Sequence, residues 1–441
     1  MLKRIISAFL AVCFVLGASM SAYAYEPTGI SVSANAAMLV SLDTDEVLYE
    51  KNADEKVYPA SITKIMTTLL ILESDKYDPN QKIAMTDETL DLISGTGSSV
   101  SLLKSGEEIT QLDLVYMILM ASFGDCAILG AIYYGGSVEN FVNMMNSRAA
   151  ELGLANTKYQ NPVGLHDENN YTTARDTYKL AKVALKNQTF KDVCESARHT
   201  VAATNMSGER TLSTTNFLQD NTTNYYYSYA KGVKTGYTDE AGRCLVSTAS
   251  YNGYNYMCLL FGCPAKADRR YEFIESAELY RWAFNNFEFK KVADTSNPIA
   301  EIGVDLSLDT DFVSLYVEKS FVSILPKDAD DSTVSIVPNI PQKTVDAPIK
   351  KGDVLGSADV IYAENVIGTV NLVANETIEK STLLTVLRGV KNFFTSSYMK
   401  VVYVIIIAII VVFIIAVIRM NNKRSKKRRV KYVPYDGNKK D

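Results

Sequence analysis

The segment PASITKIMTTLLIL (residues 59–72) opens a long helical part of the chain. It places Ser61 and Lys64 three residues apart, just before apolar residues that recur at helical spacing. Residues three apart share one face of a helix, so the lysine amine can reach the serine hydroxyl. A lysine stripped of water loses its proton more easily and can act as a base. The segment therefore predicts a helix that begins with a candidate nucleophile and its base; a serine N-cap followed by an exposed lysine is the ordinary alternative.

Apolar residues at helical spacing continue outward from this segment over roughly residues 60–195, with a break near Phe123-Gly124. Strand patterns flank this helical block on both sides. The predicted strands form a hairpin within residues 36–51 and recur at residues 230–238, 243–249 and 254–262, the last two joined by the turn Asn252-Gly253. Strands early, helices in the middle and strands late imply one sheet whose halves are separated in sequence, with helices packed on it.

After Phe287 the pattern changes to short alternating runs punctuated by prolines, which predicts a small all-β domain at residues 288–380. A linker at residues 381–400 leads to residues 401–418, eighteen residues without a charge and long enough to cross a bilayer. Ten Lys and Arg follow within residues 419–441, and clustered basic residues stay on the cytoplasmic side. We therefore expect a transmembrane helix with a basic cytoplasmic tail; a buried core helix is the alternative.

The N-terminal end has the order of a secretory signal peptide. Residues 1–24 carry Lys3 and Arg4, then an apolar run, then Ala22-Tyr23-Ala24. The apolar run is shorter than the roughly 20 residues that a bilayer needs, which disfavours an uncleaved membrane span. Together the two ends predict a single-pass protein of the cell membrane whose catalytic domain, residues 25–287, lies outside the cytoplasm.

Charge and cysteine content narrow the possible functions. Residues 25–418 carry 33 Lys and Arg against 48 Asp and Glu, which speaks against nucleic-acid binding. Five cysteines remain after the signal peptide, none in C-x-x-C spacing, and the chain has only His166 and His199. These counts disfavour a metal site and a disulfide scaffold, and no cofactor is expected. We interpret the cysteines as small buried apolar residues.

Two further motifs strengthen the serine–lysine pair. Lys234-Thr235-Gly236 lies in a strand pattern, where a cation, a hydroxyl and a glycine open to substrate line one edge of a cleft. Ser122 lies at the break between two helical runs. A serine and lysine at a helix start, a serine at a helix break and then a strand K-T-G, in this order, form the signature of serine β-lactamases and penicillin-binding proteins.

With these motifs the sequence resembles the D-alanyl-D-alanine carboxypeptidases among the low-molecular-mass penicillin-binding proteins, from about Ser33 to Ser381. Other segments that carry the resemblance are GSSVSLLKSGEEIT (97–110), NPVGLHDENNYTTARD (161–176), STTNFL (213–218), KGVKTGYTDEAGRCLVSTA (231–249) and APIKKGDVLGSADVI (347–361). The resemblance implies an α+β catalytic domain of the β-lactamase and penicillin-binding type. Its sheet is covered by helices and carries an all-helical insert, and the all-β domain stands between it and the membrane.

The resemblance also implies a reaction. The substrate would be the D-Ala-D-Ala end of a peptidoglycan stem peptide, and β-lactam antibiotics would be covalent inhibitors. Ser61 would attack the carbonyl between the two D-alanines and form an acyl-enzyme, while Lys64 takes its proton. Ser122 would pass a proton to the departing D-alanine and help prepare the deacylating water.

The strand motif is expected to bind the substrate. Lys234 would hold Ser122 in place, Thr235 would hydrogen-bond the substrate carboxylate, and Gly236 would let substrate approach the backbone. The backbone N–H groups of Ser61 and Tyr237 would form the oxyanion hole.

One departure from the family pattern matters. The second family motif is S-x-N, whereas this chain has Ser122-Phe123-Gly124 and so lacks the amide side chain. Losing a positioning hydrogen bond of this kind costs one to three powers of ten in rate. A penicillin-binding sensor or scaffold with impaired turnover is therefore the alternative function. A β-lactamase, or a Ser-His-Asp triad built on His166, is less favoured, because the chain has a β domain and a membrane segment and lacks a G-x-S-x-G elbow.

Overall fold

The computed structural model describes residues 30–330 and 333–427 of the 441-residue chain. The predicted signal peptide and residues 428–441 of the predicted basic tail lie outside the described residues. The chain divides into two compact units. The main stretch of the first unit ends at Val292, and this unit also includes Phe321–Ser335 and Ile361–Ile367.

The first unit contains both strands and helices. Its strands up to the end of the main stretch are β1 (Ala36–Ser41), β2 (Val47–Lys51), β3 (Lys82–Ala84), β4 (Glu108–Thr110), β5 (Arg198–Val201), β6 (Arg210–Ser213), β7 (Ala230–Thr238), β8 (Gly242–Tyr251), β9 (Tyr254–Cys263) and β10 (Phe287–Ala293). Its helices are α1 (Lys64–Glu73), α2 (Asp87–Ile93), α3 (Gln111–Leu119), α4 (Gly124–Gly135), α5 (Val138–Glu151), α6 (Ala174–Ala184), α7 (Gln188–Glu195) and α8 (Tyr271–Asn286).

An antiparallel sheet of five strands forms the centre of this unit, in the order β2-β1-β9-β8-β7. The predicted early hairpin and the three late strands are thus neighbours in one sheet. Asn252 and Gly253 both have positive φ, at 50° and 86°. Two successive positive φ values are what a two-residue hairpin turn between twisted strands requires.

Helices cover both faces of the sheet. All six residues of β1 are buried, and the five apolar ones, Ala36 to Val40, alternate between two hydrophobic clusters. Met38 and Val40 pack into the cluster that includes α1, α3 and α4, whereas Ala37 and Leu39 pack into the cluster that includes α8. Because successive side chains of a strand point to opposite faces, this division follows from the strand itself. The predicted α+β catalytic fold is confirmed.

The helical block has the predicted break. Helix α3 ends at Leu119 and α4 begins at Gly124, so Ser122 lies on the connection between them. The block also contains a two-stranded ribbon of β3 and β4, and a second ribbon of β5 and β6 follows it.

A six-stranded sheet follows, in the order β14-β16-β17-β12-β11-β15, which confirms the predicted all-β domain. The later strands are β11 (Ala300–Asp305), β12 (Phe312–Val317), β13 (Phe321–Pro326), β14 (Val334–Asn339), β15 (Thr344–Asp346), β16 (Val354–Tyr362) and β17 (Asn365–Ala374). Strand β13 pairs instead with β10. Helix α9 (Thr382–Thr395) lies within the segment predicted as a linker. Helix α10 (Ser397–Lys427) is apolar and long enough to cross a membrane over Ser397–Asn422.

Candidate active site

An open cleft of about 910 Å³ lies beside strand β7. Five of the seven residues predicted for the site line it, namely Ser61, Ser122, Thr235, Gly236 and Tyr237. The other two, Lys64 and Lys234, are buried, with 0% and 1% of their surfaces exposed. The fold thus brings three motifs that are far apart in sequence to one place.

Ser61 lies in a short 3-10 turn, Ala60–Thr63, and the α-helix begins only at Lys64. Two glycines let neighbouring segments approach this turn. A Cβ added to Gly164 would fall 1.8 Å from the Ala60 carbonyl oxygen, and one added to Gly236 would fall 3.2 Å from the Ser61 nitrogen. The backbone N–H of Ser61 therefore lies against β7, where the oxyanion hole is predicted.

Lys64 is positioned by two hydrogen bonds. Its Nζ lies 2.9 Å from Ser61 Oγ and donates to the Val163 carbonyl oxygen at 2.7 Å. Burial away from water lowers the pKa of Lys64 to about 7, although the negative charge of Asp125 opposes the shift. At neutral pH a substantial fraction of the amine is thus uncharged and can accept the serine proton.

The carbonyl that holds Lys64 belongs to a loop shaped by Asn161. The Asn161 side-chain oxygen accepts hydrogen bonds from the backbone N–H groups of Val163, Gly164 and Leu165, at 3.2, 2.7 and 3.0 Å. Its amide nitrogen donates to the Leu165 carbonyl oxygen at 3.0 Å. Asn161 was not predicted as a site residue. The only indication of its role in the sequence is that it begins the segment NPVGLHDENNYTTARD (161–176).

Lys234 is the second buried lysine of the site, and it lies near Lys64. Burial lowers the pKa of Lys234 well below its usual value, and the nearby Lys64 lowers it further. Its Nζ donates to the Thr235 carbonyl oxygen at 3.0 Å. Repulsion between the two buried amines disfavours protonation of both lysines at once. One amine therefore stays neutral and is available for proton transfer.

Ser122 lies on the wall of the cleft formed by the α3–α4 connection. Its φ is 67°, in the left-handed region that side chains other than glycine rarely adopt. Such strain is typical of residues held in place for function. Among the described residues, no side-chain hydrogen bond joins Ser122 to Lys234, so the predicted contact between them is not formed in this structure.

Asp125 points away from the cleft. Its carboxylate accepts hydrogen bonds from the Ser101 backbone nitrogen, at 2.9 and 3.1 Å, and from the Ser101 hydroxyl at 2.5 Å. Asp125 is also 1% exposed. This side chain therefore does not replace the amide that Gly124 lacks.

Sequence reasoning missed three further polar groups of the cleft. Thr215 Oγ1 lies 2.6 Å from Thr235 Oγ1, which links the segment STTNFL to the K-T-G strand. Arg243 and Arg270 also line the cleft. The Arg270 guanidinium donates to Glu272 at 2.6 Å, which holds it in place. Two arginines and two threonine hydroxyls on the lining of one cleft are groups that can bind a carboxylate.

His166 lines the cleft but has no role in a triad here. Its ring packs edge-on against the ring of Tyr58, with centroids 4.7 Å apart. Among the described residues, no side-chain hydrogen bond joins His166 to a serine or to Asp167.

The five cysteines of the described chain are buried and unpaired with one another, as the sequence predicts. Burial raises the pKa of each thiol, so these thiols stay protonated. No group of three His, Cys, Asp or Glu side chains within residues 30–330 and 333–427 is arranged to hold a metal ion.

Known proteins resemble the chain over most of its length. A family model described as D-alanyl-D-alanine carboxypeptidase matches residues 21–264, and one described as the C-terminal domain of penicillin-binding protein 5 matches residues 287–380. The chain is 31% identical to D-alanyl-D-alanine carboxypeptidase DacF of Bacillus subtilis, covering 88% of this chain and 97% of that protein. It is 32% identical to DacC of Escherichia coli, covering 82% and 88%.

Solved structures agree with these matches. Penicillin-binding protein 5 from Haemophilus influenzae superposes with a TM-score of 0.63 at 26% identity, covering 80% of this chain and 99% of that one. The Streptomyces K15 DD-transpeptidase superposes with a TM-score of 0.54 at 28% identity, covering 58% of this chain and 99% of that one.

Proposed function

This chain belongs to the D-alanyl-D-alanine carboxypeptidase family of penicillin-binding proteins, and we propose that it uses Ser61 to remove the terminal D-alanine from peptidoglycan stem peptides. It is a serine-type hydrolase, as its motifs predict. The observation that carries the proposed site is the 2.9 Å contact between Lys64 Nζ and Ser61 Oγ, in a place where burial lowers the lysine pKa to about 7.

Acylation begins when neutral Lys64 takes the proton of the Ser61 hydroxyl. The serine oxygen attacks the carbonyl carbon between the two D-alanines, and negative charge develops on the carbonyl oxygen. Backbone N–H groups of Ser61 and Tyr237 stabilise that charge. The C–N bond then breaks, and the departing D-alanine amine receives a proton from the Ser122 hydroxyl, which regains one from protonated Lys64. Shuttling the serine proton by a positioned base is worth roughly 10²–10⁴ in rate.

Deacylation reverses the proton movements. A water molecule attacks the ester carbonyl and gives a proton to Lys64 through Ser122. Lys64 then returns a proton to the Ser61 oxygen as that oxygen leaves. Lys234 is buried near Lys64 and donates to the Thr235 carbonyl oxygen, and repulsion between the two amines helps Lys64 return to its neutral form. The peptide product, shortened by one D-alanine, then dissociates.

The part of the cleft around Thr235 recognises the free carboxylate of the substrate. Thr235 supplies a hydroxyl that Thr215 orients at 2.6 Å. Arg243 and Arg270 add positive charge. A site that pairs a carboxylate with cations and hydroxyls selects peptides with a free C-terminus, which is the specificity of a carboxypeptidase.

We also propose how the enzyme is anchored. Residues 401–418 of helix α10 cross the cell membrane once, the basic residues 419–441 stay in the cytoplasm, and residues 1–24 are removed as a signal peptide. The catalytic domain then comprises residues 25–287 and the all-β domain residues 288–380. This arrangement places the cleft outside the cytoplasm, where the wall peptides are.

β-Lactam antibiotics acylate Ser61 because their strained amide occupies the place of the scissile peptide bond. Turnover separates the three functional hypotheses. Rapid hydrolysis of nitrocefin would indicate a β-lactamase, whereas stable acylation without peptide cleavage would indicate a penicillin-binding sensor or scaffold. We expect stable acylation together with peptide cleavage.

The direct test is D-alanine release from a wall pentapeptide by the full-length protein in detergent micelles, with Ser61→Ala as the inactive control. Release by the wild type that disappears in the Ser61→Ala variant supports the carboxypeptidase. Absence of release from folded wild-type protein would contradict it and favour the sensor.

A further inference from the structure

The wall of the cleft around Gly124 has no room for a side chain. A Cβ added to Gly124 would lie 2.2 Å from Ser98 Oγ, 3.0 Å from a Val163 methyl group and 3.1 Å from an Ile93 methyl group. The first distance is far below a van der Waals contact, so any larger residue at position 124 has to displace the Ser98 hydroxyl. The Ser98 hydroxyl therefore occupies the space that a side chain at position 124 would fill.

The segment that carries Ser98 is fixed to the start of helix α4. The Gly124 backbone nitrogen donates to the Ser99 carbonyl oxygen at 2.7 Å. Ser101 donates twice to the buried carboxylate of Asp125, from its backbone nitrogen and from its hydroxyl. These bonds join residues that lie about 25 positions apart in sequence, and they hold the backbone of Ser98 beside the Ser122 connection.

The Ser98 hydroxyl itself is available for a ligand. Its only hydrogen bond within the described residues is a long one of 3.5 Å, to the Ser99 carbonyl oxygen. Ser98 is half-buried and lines the same cleft as Ser61, Ser122 and Thr235. A hydroxyl can both donate and accept a hydrogen bond, so it can bind either polar group of a peptide backbone.

We propose that Ser98 is a substrate-binding residue whose hydroxyl hydrogen-bonds the peptide backbone of the substrate from the position that a side chain at residue 124 would otherwise occupy. This inference rests on the proposed carboxypeptidase function and adds a residue to it. A single neutral hydrogen bond of this kind contributes modestly, and its loss lowers kcat/KM about three- to tenfold.

The test compares four variants of the full-length protein in detergent: Ser98→Ala, Ser98→Thr, Gly124→Ala and the double variant Ser98→Ala/Gly124→Ala. Ser94→Ala is the matched control, because Ser94 lies on the same exposed segment outside the cleft. D-Alanine release and the acylation rate with a fluorescent penicillin are measured for each, together with the melting temperature.

We expect Ser98→Ala to lose about three- to tenfold in kcat/KM with an unchanged melting temperature. Ser98→Thr keeps a hydroxyl and should recover most of that loss, whereas Ser94→Ala should retain the wild-type rate. Gly124→Ala should lose a similar factor because it pushes the hydroxyl aside. The double variant should lose no more than either single variant, since both changes remove the same interaction.

Three results would overturn the inference. Ser98→Ala with the wild-type rate removes the role of the hydroxyl while leaving the carboxypeptidase intact. Losses that multiply in the double variant show that the two positions act independently. A wild type that neither releases D-alanine nor is acylated overturns the proposed function and this inference together. Should Gly124→Ala not fold, the contrast between Ser98→Ala and Ser98→Thr decides the matter.

Discussion

The two walls of the cleft are built in different ways. On one wall, Ser61 and Lys64 are three residues apart, and the lysine is completely buried with its amine 2.9 Å from the serine hydroxyl. On the other wall, Ser122 is half-buried on a connection, and the neighbouring Gly124 has no side chain. The space beside that glycine is filled by Ser98, which comes from a segment 26 positions earlier.

This difference separates what local sequence specifies from what the tertiary fold supplies. A helix brings residues three apart together whatever the rest of the chain does. The opposite wall depends on a loop that reaches the start of α4 through backbone hydrogen bonds. We therefore expect substitutions of Ser61 and Lys64 to affect the chemical step strongly, and substitutions of supporting residues such as Ser98 and Thr215 to affect it weakly.

The largest effect is expected for Lys64→Ala. Loss of the general base should lower the rate of acylation by penicillin about 10²–10⁴-fold. Stopped-flow or gel-based labelling with a fluorescent penicillin measures this rate. The matched control is Lys231→Ala, because Lys231 lies on β7 but is exposed. A loss of less than about tenfold for Lys64→Ala, at an unchanged fold, would show that another group is the base.

The pH dependence of acylation sharpens the same comparison. Burial lowers the pKa of Lys64 to about 7, and the proposed mechanism requires the neutral amine. The acylation rate should therefore fall as pH drops through about 7 and level off above it, with about a tenfold difference between pH 6 and pH 8. A rate that stays flat over this range would contradict a Lys64 base with the lowered pKa.

The smallest effect is expected at the pair Thr215 and Thr235, which we propose binds the substrate carboxylate. Thr215→Val removes the hydroxyl that lies 2.6 Å from Thr235 Oγ1, which leaves Thr235 less well oriented. We expect a loss of about two- to tenfold in kcat/KM, mostly as a higher KM. Steady-state D-alanine release measures it, with the exposed Thr211→Val on β6 as the control. An equal loss in the control would assign the effect to the fold rather than to the site.

Much of the fold could be predicted from the sequence because its signals are local. The turn Asn252-Gly253 marks the hairpin of β8 and β9, since both residues adopt positive φ there. The helical break near Phe123-Gly124 is likewise found between α3 and α4. The helix start was less certain, because Ser61 lies in a 3-10 turn that tertiary contacts with Gly164 and Gly236 hold in place.

The remaining features of the site depend on contacts between distant segments. The pKa of Lys64 is set by burial, and burial is not visible in a four-residue motif. Asn161 lies 97 positions after Lys64 and shapes the loop that holds the lysine amine. Thr215 comes from the segment STTNFL and contacts Thr235 of the K-T-G strand. Ser98 lies in the segment GSSVSLLKSGEEIT (97–110), but only the folded chain shows that its hydroxyl occupies the space beside Gly124.

The central claim is that Ser61 is the nucleophile of this enzyme. The most direct measurement is to label the full-length protein with penicillin, digest it and locate the covalent adduct by mass spectrometry. A nucleophilic Ser61 gives one adduct, on the peptide that contains Ser61, and no adduct in Ser61→Ala. An adduct on Ser122 or Ser98, or labelling that persists in the Ser61→Ala variant, would show that another residue is the nucleophile.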